Sequence, residues 1–209
     1  MTADIPGIRR FFQDQFASHG ESAEGVGWNS TYAQDVRFEQ LLKVVDRAQP
    51  FTIIEFGCGY GYLIDYMDQN GCKPDRYYGL DIVPESVEAA KTRFAGRQSC
   101  TFHLDPSEIA GADYLVASGV FNIKLDASNA DWTEYVLENL KKFDAWTKKG
   151  FAVNFLTKYS DPERMALRPD LYYADPCELF DYCKRSFSRN VALLHDYEIY
   201  DFTLIVRKS

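Results

Sequence analysis

The feature that most constrains this chain is an alternation of short apolar runs with helical stretches, which begins at Phe51 and continues to Phe187. Parallel strands need a long crossover connection, usually a helix, and this alternation is typical of such βαβ units. The pattern therefore predicts a doubly wound α/β fold with a mostly parallel sheet.

The apolar runs and the helical stretches give the order of the predicted elements. Strands are predicted at Phe51–Phe56, Tyr77–Asp81, Cys100–His103, Tyr114–Ala117 and Phe151–Leu156, and helices at Tyr62–Gln69, Pro84–Phe94, Asp131–Lys148 and from Pro176 to Phe187. Two further apolar runs, Val191–His195 and Ile199–Arg207, are joined by only a few residues. Because so short a link permits an antiparallel hairpin and no crossover helix, we expect a seven-stranded sheet that ends in a C-terminal hairpin.

Residues 1–49 precede this pattern and are predicted to form an N-terminal helical cap. Apolar residues recur at helical spacing over residues 4–18, and Ser30 or Thr31 can cap a second helix. A chain of 209 residues is long enough for one full core. We expect a single domain over residues 1–209, with the α/β core at 50–209 and a lid-like insertion at 157–175.

Charge and cysteine content exclude several classes of function. The 23 Lys and Arg against 31 Asp and Glu give a net charge of -8, which disfavours a nucleic-acid partner. No apolar stretch is long enough for a membrane span or a signal peptide, so we expect a cytoplasmic protein without a membrane partner. Five cysteines without a C-x-x-C pair predict neither a zinc site nor a disulfide framework, and no metal site is expected.

Three glycines, Gly57, Gly59 and Gly61, stand where the first predicted strand turns into a helix. Glycine tolerates the angles of such a turn and lets a ligand approach the main chain. Tyr62 stands where a dinucleotide fingerprint has its third glycine, and no Gly-Lys-Ser/Thr of a P-loop follows. Asp81 ends the next strand, where an acid accepts hydrogen bonds from ribose hydroxyls, so the predicted ligand carries a ribose.

The segment from Glu55 to Gly61, followed by Asp81, resembles motifs I and II of the class I S-adenosylmethionine-dependent methyltransferases. The resemblance extends over residues 51–207 and includes the loop after the fourth strand and the final hairpin. It implies S-adenosyl-L-methionine as cofactor, with the glycine loop under its methionine and ribose, Asp81 on the ribose and Asp105 on the adenine amine. Pro106 departs from the family pattern, because it removes a backbone donor. The predicted cofactor-binding residues of the core are Glu55, Gly57, Cys58, Gly59, Gly61, Asp81, Ile82, Asp105 and Ser118.

Two residues of the N-terminal cap, Trp28 and Arg37, are also predicted to lie at the cofactor site. A guanidinium is geometrically suited to the methionine carboxylate, which makes Arg37 a candidate partner for it. The alternative is that Arg37 faces solvent on an amphipathic helix. The sequence leaves both interpretations open.

The acceptor site is expected from the segments that leave the carboxyl ends of the strands. These are Ser118–Asn129, the aromatic insertion at 157–175 and His195-Asp196-Tyr197. The predicted substrate-binding residues are Asn122, Tyr159, Tyr173 and Tyr197. His195 is the candidate general base, because the usual histidine pKa of ~6.5 suits proton transfer at neutral pH, although a lone histidine is more often structural.

The resulting hypothesis is methylation of an oxygen or nitrogen of a small polar metabolite. Lys158, Arg164 and Arg168 in the insertion would attract an anionic acceptor such as a sugar phosphate or a nucleotide sugar. Methylation of nucleic-acid bases is disfavoured, because the Pro-Cys pair at Cys177 follows the fifth strand, whereas that chemistry needs a cysteine after the fourth. The alternatives are a non-catalytic, cofactor-binding partner subunit and the transfer of another group from a related sulfonium cofactor.

Overall fold

The computed structural model describes residues 3–208 and contains one mixed β-sheet. Its strands are β1 (Thr52–Phe56), β2 (Arg76–Leu80), β3 (Cys100–His103), β4 (Ala112–Ala117), β5 (Thr147–Thr157), β6 (Tyr173–Ala174), β7 (Asn190–Leu194) and β8 (Asp201–Arg207). The strand order is β3-β2-β1-β4-β5-β8-β7, and β6 pairs with β5. The pairs from β3 to β5 are parallel, and β8 runs antiparallel to both of its neighbours. The predicted doubly wound fold with a C-terminal antiparallel hairpin is confirmed.

Helices cover both faces of this sheet. They are α1 (Ile5–His19), α2 (Thr31–Leu41), α3 (Tyr62–Gln69), α4 (Pro84–Arg93), α5 (Asn129–Trp146), α6 (Pro162–Leu167) and α7 (Pro176–Ser186). Buried side chains of α2, α3 and α4 pack on one face, whereas α5, α7 and Ile8 of α1 pack on the other. Ser30 caps α2, since its hydroxyl accepts a hydrogen bond from the N–H of Ala33 at 3.2 Å, as expected for a serine at this position.

The sequence missed two elements within the predicted lid, which are the short helix α6 and the two-residue strand β6. Tyr173 and Ala174 pair with Leu156 and Thr157 at the end of β5, so residues 3–208 contain eight strands where seven were predicted. Two residues carry no detectable periodicity, and their pairing is decided by tertiary contacts.

Several predicted boundaries also differ from the structure, and the largest shift is the start of β5, at Thr147 rather than Phe151. The long helix α5 ends at Trp146, two residues before the predicted end, because Thr147 already pairs with Ala112 of β4. The last strand begins at Asp201 rather than Ile199, since pairing of β8 with β5 starts there, opposite Leu156. These shifts leave the topology unchanged.

The carboxyl ends of β1, β2, β4 and β5 meet at one edge of the sheet, because these strands are parallel. The glycine loop, Asp81, the loop after β4 and the lid all leave from this edge. This is the edge at which open α/β sheets bind ligands. Within residues 3–208, none of the helices combines the length and the apolar character that crossing a membrane requires.

Candidate active site

One cavity of about 800 Å³ opens at this edge of the sheet. Its volume lies within the ~300–1,000 Å³ that is usual for small-molecule sites. The N-terminal cap, the glycine loop, the end of β2, the loop after β4 and the lid all contribute to its lining. Eleven of the residues predicted for the site line it, namely Trp28, Arg37, Glu55, Gly57, Cys58, Gly59, Asp81, Ile82, Ser118, Asn122 and Tyr173.

The glycine loop forms part of the cavity wall with its main chain. Gly57 and Gly59 have φ angles of 81° and 51°, which lie in the left-handed region that favours glycine. A Cβ atom on Gly57 would approach Val120 to 2.3 Å, and one on Gly59 would approach Val26 to 2.7 Å. Both positions therefore exclude a larger residue, for reasons of backbone conformation and of space.

Asp81 ties the glycine loop to the end of β2. Its carboxylate accepts hydrogen bonds from the N–H of Gly59 at 2.8 Å and from the N–H of Val83 at 2.9 Å. Burial raises the pKa of Asp81, and the backbone N–H groups act against this rise. Each carboxylate oxygen has more than one acceptor position, so Asp81 can also accept hydrogen bonds from a ligand.

Glu55 lies on β1 beneath the loop and is 2% exposed. Burial raises the pKa of Glu55 to about 8, the hydrogen bond from the Tyr77 hydroxyl lowers it, and the neighbouring charge of Asp81 raises it further. Glu55 is therefore mostly neutral at pH 7. Of these two neighbouring carboxyl groups, Asp81 carries the negative charge toward the cavity.

A buried polar network joins the cap to the sheet. Arg37 of α2 donates from Nε and Nη2 to the carboxylate of Asp201 at 2.8 and 2.7 Å. Asp201 also accepts from Asn154 Nδ2 at 2.7 Å, and Asn154 Oδ1 in turn accepts from the N–H of Gly119 at 2.9 Å. The guanidinium also stacks on Trp28, with 4.1 Å between its carbon and the ring centroid.

This network excludes one of the two interpretations of Arg37, the one in which it faces solvent. The side chain does not face solvent, since Arg37 is 6% exposed. Its Nε–Nη2 edge is already occupied by Asp201, which uses the geometry that a cofactor carboxylate would use. Pairing of Arg37 with the methionine carboxylate stays a prediction.

Two polar atoms beside the cavity have no hydrogen-bond partner within residues 3–208. They are Ser118 Oγ and Gln34 Oε1, both buried and both on residues that line the cavity. An unpaired buried polar atom costs about 1–3 kcal/mol, so native structures usually pair it with protein, water or ligand. Trp28 stands beside them, packed so closely on Gly119 that a Cβ there would lie 2.1 Å from the indole.

Two predicted cofactor residues do not line the cavity. Asp105 is exposed and caps a short 3-10 helix by accepting from the N–H of Ser107 at 2.8 Å, although its neighbours Leu104 and Pro106 line the cavity. Gly61 begins α3 with a φ of 85°, and a Cβ there would meet Phe94 at 2.8 Å. The role of Gly61 in the structure is thus to shape the turn into α3.

The residues predicted at the hairpin tip also lie outside the lining. His195 is exposed at the end of β7 and packs its ring against Tyr159 and Phe202, with 5.9 Å between centroids in each case. Tyr159 is 61% exposed, and the Tyr197 hydroxyl pairs with Thr203 Oγ1 at 2.9 Å. The tip is at the expected edge, but β7 is the outermost strand, four strand spacings or roughly 19 Å from β1. His195 therefore lies outside the cavity lining, and its role as the general base stays a prediction.

Many lining residues were not predicted from the sequence, among them Val26, Gln34, Glu198, Tyr200 and Asp201. Asp201 opens an otherwise apolar run, and a charged residue beside such a run is the one available signal of a buried role. The other four gave no comparable signal.

Comparison with known proteins places this chain in a family. A family profile described as "Methyltransferase domain" matches residues 54–150. The protein named "Putative methyltransferase Rv1506c", from Mycobacterium tuberculosis strain H37Rv, is 48% identical over 168 residues, which are 80% of this chain and 99% of that protein. The chain belongs to the class I S-adenosylmethionine-dependent methyltransferases. The family resemblance seen in the glycine loop and Asp81 is thereby confirmed.

Solved structures agree with this methyltransferase on the fold. The N-methyltransferase NodS from Bradyrhizobium japonicum, in complex with S-adenosyl-L-homocysteine, superposes with a TM-score of 0.65 at 10% identity over 95% of this chain and 97% of NodS. The S-adenosylmethionine-dependent methyltransferase SibL gives a TM-score of 0.66 at 14% identity over 88% of this chain. This chain spans 57% of SibL. At such identities the likeness concerns the fold alone.

Proposed function

We propose that this methyltransferase transfers a methyl group from S-adenosyl-L-methionine to an oxygen or nitrogen atom of a small polar metabolite. The observation that carries the proposal is the continuity of the cavity, which runs from the glycine loop and Asp81 to polar side chains of the loop after β4 and of the lid, Asn122 and Tyr173. A phosphorylated sugar or a nucleotide sugar fits this description of the acceptor.

The residues present fit the cofactor. Asp81 offers acceptors for ribose hydroxyls, the Gly57–Gly59 main chain provides close approach, and Ile82 adds an apolar wall. The buried Ser118 Oγ and Gln34 Oε1 lie beside the cavity without partners within the described chain, where the polar groups of an amino acid can satisfy them. When bound, S-adenosylmethionine supplies an electrophilic methyl group on a cationic sulfur.

The protein contributes chiefly by positioning, because bringing two reactants into line removes a large part of the barrier. Asn122 is held for this role, since its Oδ1 accepts a hydrogen bond from the N–H of Leu156 at 3.3 Å. An oxygen or nitrogen acceptor must also lose a proton. Among the described lining residues there is no histidine, and Glu198 is the carboxylate without a hydrogen bond or ion pair. We therefore favour Glu198 over His195 as the proton acceptor.

The alternative of a non-catalytic partner subunit predicts an acceptor region closed by side chains. The cavity instead extends beyond the cofactor-binding loop, which favours an enzyme. The transfer of a larger group from a related sulfonium cofactor keeps the same site and differs in the mass of the product.

The test uses S-adenosylmethionine with a deuterated methyl group, incubated with the full chain and a panel of polar metabolites. We expect a product that gains one deuterated methyl, together with equimolar S-adenosylhomocysteine, and a lower rate of both at subsaturating cofactor with Asp81→Asn. If the wild type binds S-adenosylhomocysteine but labels nothing in a broad panel that includes sugar phosphates and nucleotide sugars, the partner-subunit alternative gains. A larger mass gain would replace methyl transfer with another group transfer.

A further inference from the structure

We propose that the acceptor is held through a phosphate-type anion, in a subsite formed by Arg164, Arg168 and Tyr173 of the lid. All three residues line the cavity. The proposal rests on the proposed function, because it assigns the lid end of the same cavity to the acceptor. It adds a defined set of donors and the chemical class of the group that they bind.

Arg164 provides a positive charge that the protein does not neutralise with an ion pair. Within residues 3–208 it has no carboxylate partner, and its guanidinium carbon lies 4.8 Å from the centroid of the Tyr200 ring. Tyr200 is itself held by the hydrogen bond from its hydroxyl to Asp161 Oδ2 at 2.6 Å. A guanidinium stacked on an aromatic ring keeps its N–H edge free, and this edge matches two oxygens of an anion.

Tyr173 adds a hydroxyl donor beside the arginines. Strand β6 fixes its position through pairing with Leu156 of β5. Burial raises the pKa of Tyr173, the charges of Arg164 and Arg168 act against the rise, and the charge of Asp170 adds to it. The Tyr173 hydroxyl therefore stays protonated at neutral pH, it lines the same cavity as both arginines, and it has no hydrogen-bond partner among the described residues.

Arg168 is occupied by a carboxylate of the lid itself. Its Nε and Nη2 donate to Asp170 at 2.9 and 2.7 Å. Both side chains are partly exposed, at 51% and 35%, and ion pairs of this kind are weak. Asp170 thus competes with a ligand anion for Arg168, so removing the charge of Asp170 is expected to strengthen anion binding.

The number of donors favours phosphate over carboxylate. Two guanidinium groups and one hydroxyl of the lid line the cavity, in a chain of net charge -8. A tetrahedral phosphate presents three or more oxygens to donors that come from different directions, whereas a carboxylate presents two in one plane.

The experiment measures anion binding by calorimetry, using the full chain saturated with S-adenosylhomocysteine at constant ionic strength. The probes are inorganic phosphate, pyrophosphate and acetate. We expect phosphate and pyrophosphate to bind and acetate to bind much more weakly. Arg164→Gln should weaken phosphate binding by about tenfold or more, and Tyr173→Phe by several-fold. Asp170→Asn should strengthen it by several-fold, a gain that misfolding cannot produce.

The matched control is Arg185→Gln, which removes an arginine that is 79% exposed and paired with Asp181 on α7, outside the cavity lining. It should leave phosphate binding unchanged. The subsite proposal is overturned if acetate binds as tightly as phosphate, or if Arg164→Gln weakens phosphate binding no more than Arg185→Gln. Failure of the wild type to bind S-adenosylhomocysteine would instead refute the proposed function, so the two failures are distinguishable.

Discussion

Arg37→Met is expected to destabilise the fold strongly, because it leaves the charge of Asp201 buried. The two side chains of this pair are 8% and 1% exposed. Without Arg37, Asp201 keeps Asn154 as its side-chain donor and loses two charge-assisted hydrogen bonds. Breaking a buried ion pair by removing one partner costs about 3–5 kcal/mol, and we expect a loss in the free energy of unfolding within this range.

The double variant Arg37→Met/Asp201→Asn separates the ion pair from the packing of Arg37. It removes both charges together, so its cost should be smaller than the sum of the two single variants by on the order of 2 kcal/mol, as for residues in one network. Urea denaturation of the three variants measures this difference. Arg97→Met is the matched control, because the Arg97–Asp68 pair is partly exposed, at 29% and 39%, and should contribute no more than ~1 kcal/mol.

If Arg37→Met lowers the free energy of unfolding no more than Arg97→Met does, the buried pair does not stabilise the fold as proposed. Binding of S-adenosylhomocysteine to the same variants decides the remaining interpretation of Arg37. If the stable double variant binds it as the wild type does, Arg37 acts through structure alone. A loss of more than about tenfold in the double variant would support a contact between Arg37 and the cofactor carboxylate.

Four further variants test the buried carboxyl group, the glycine loop and the candidate bases. Since the folded-state pKa of Glu55 is about 8, above its ordinary value of 4.5, the wild type should lose stability as pH rises between these values. Glu55→Gln has no titrating group at this position. Its free energy of unfolding should therefore rise relative to that of the wild type by a few kcal/mol between about pH 5 and pH 9, as measured by denaturation curves. Gly59→Ala should weaken S-adenosylhomocysteine binding by about tenfold or more in calorimetry, because its φ is 51° and Val26 fills the space; unchanged affinity would contradict this. Glu198→Gln should lower turnover of the true acceptor by ~10²-fold and His195→Asn by less than about threefold, and the reverse order in steady-state kinetics would restore His195 as the base.

The fold was predictable because the signals that decide it are local. Short apolar runs, the helices between them and the short final link fix a parallel sheet with a terminal hairpin. The glycine loop was equally predictable, since Gly57 and Gly59 stand directly between a strand and a helix and Asp81 ends the next strand. In each case the position of each residue in the fold follows from its neighbours along the chain.

The acceptor side was less predictable because it depends on distances across the sheet. His195 follows a strand that ends at the correct edge, but the sequence does not give the lateral position of that strand. Arg37 and Asp201 are 164 residues apart, and no local pattern joins them. The family resemblance assigned Asp105 to the adenine. In the structure its side chain caps a short 3-10 helix by accepting a hydrogen bond from the N–H of Ser107.

The most direct test of the central claim is a calorimetric titration of the full chain with S-adenosylhomocysteine. We expect a single binding site, no comparable binding of NAD and a loss of ~1–3 kcal/mol of binding free energy in Asp81→Asn, because the ribose hydroxyls lose a charged acceptor. Asp105→Asn is the matched control and should change the affinity by less than about threefold, since Asp105 is exposed outside the cavity lining. Absence of binding, or NAD binding of equal strength, would contradict the claim.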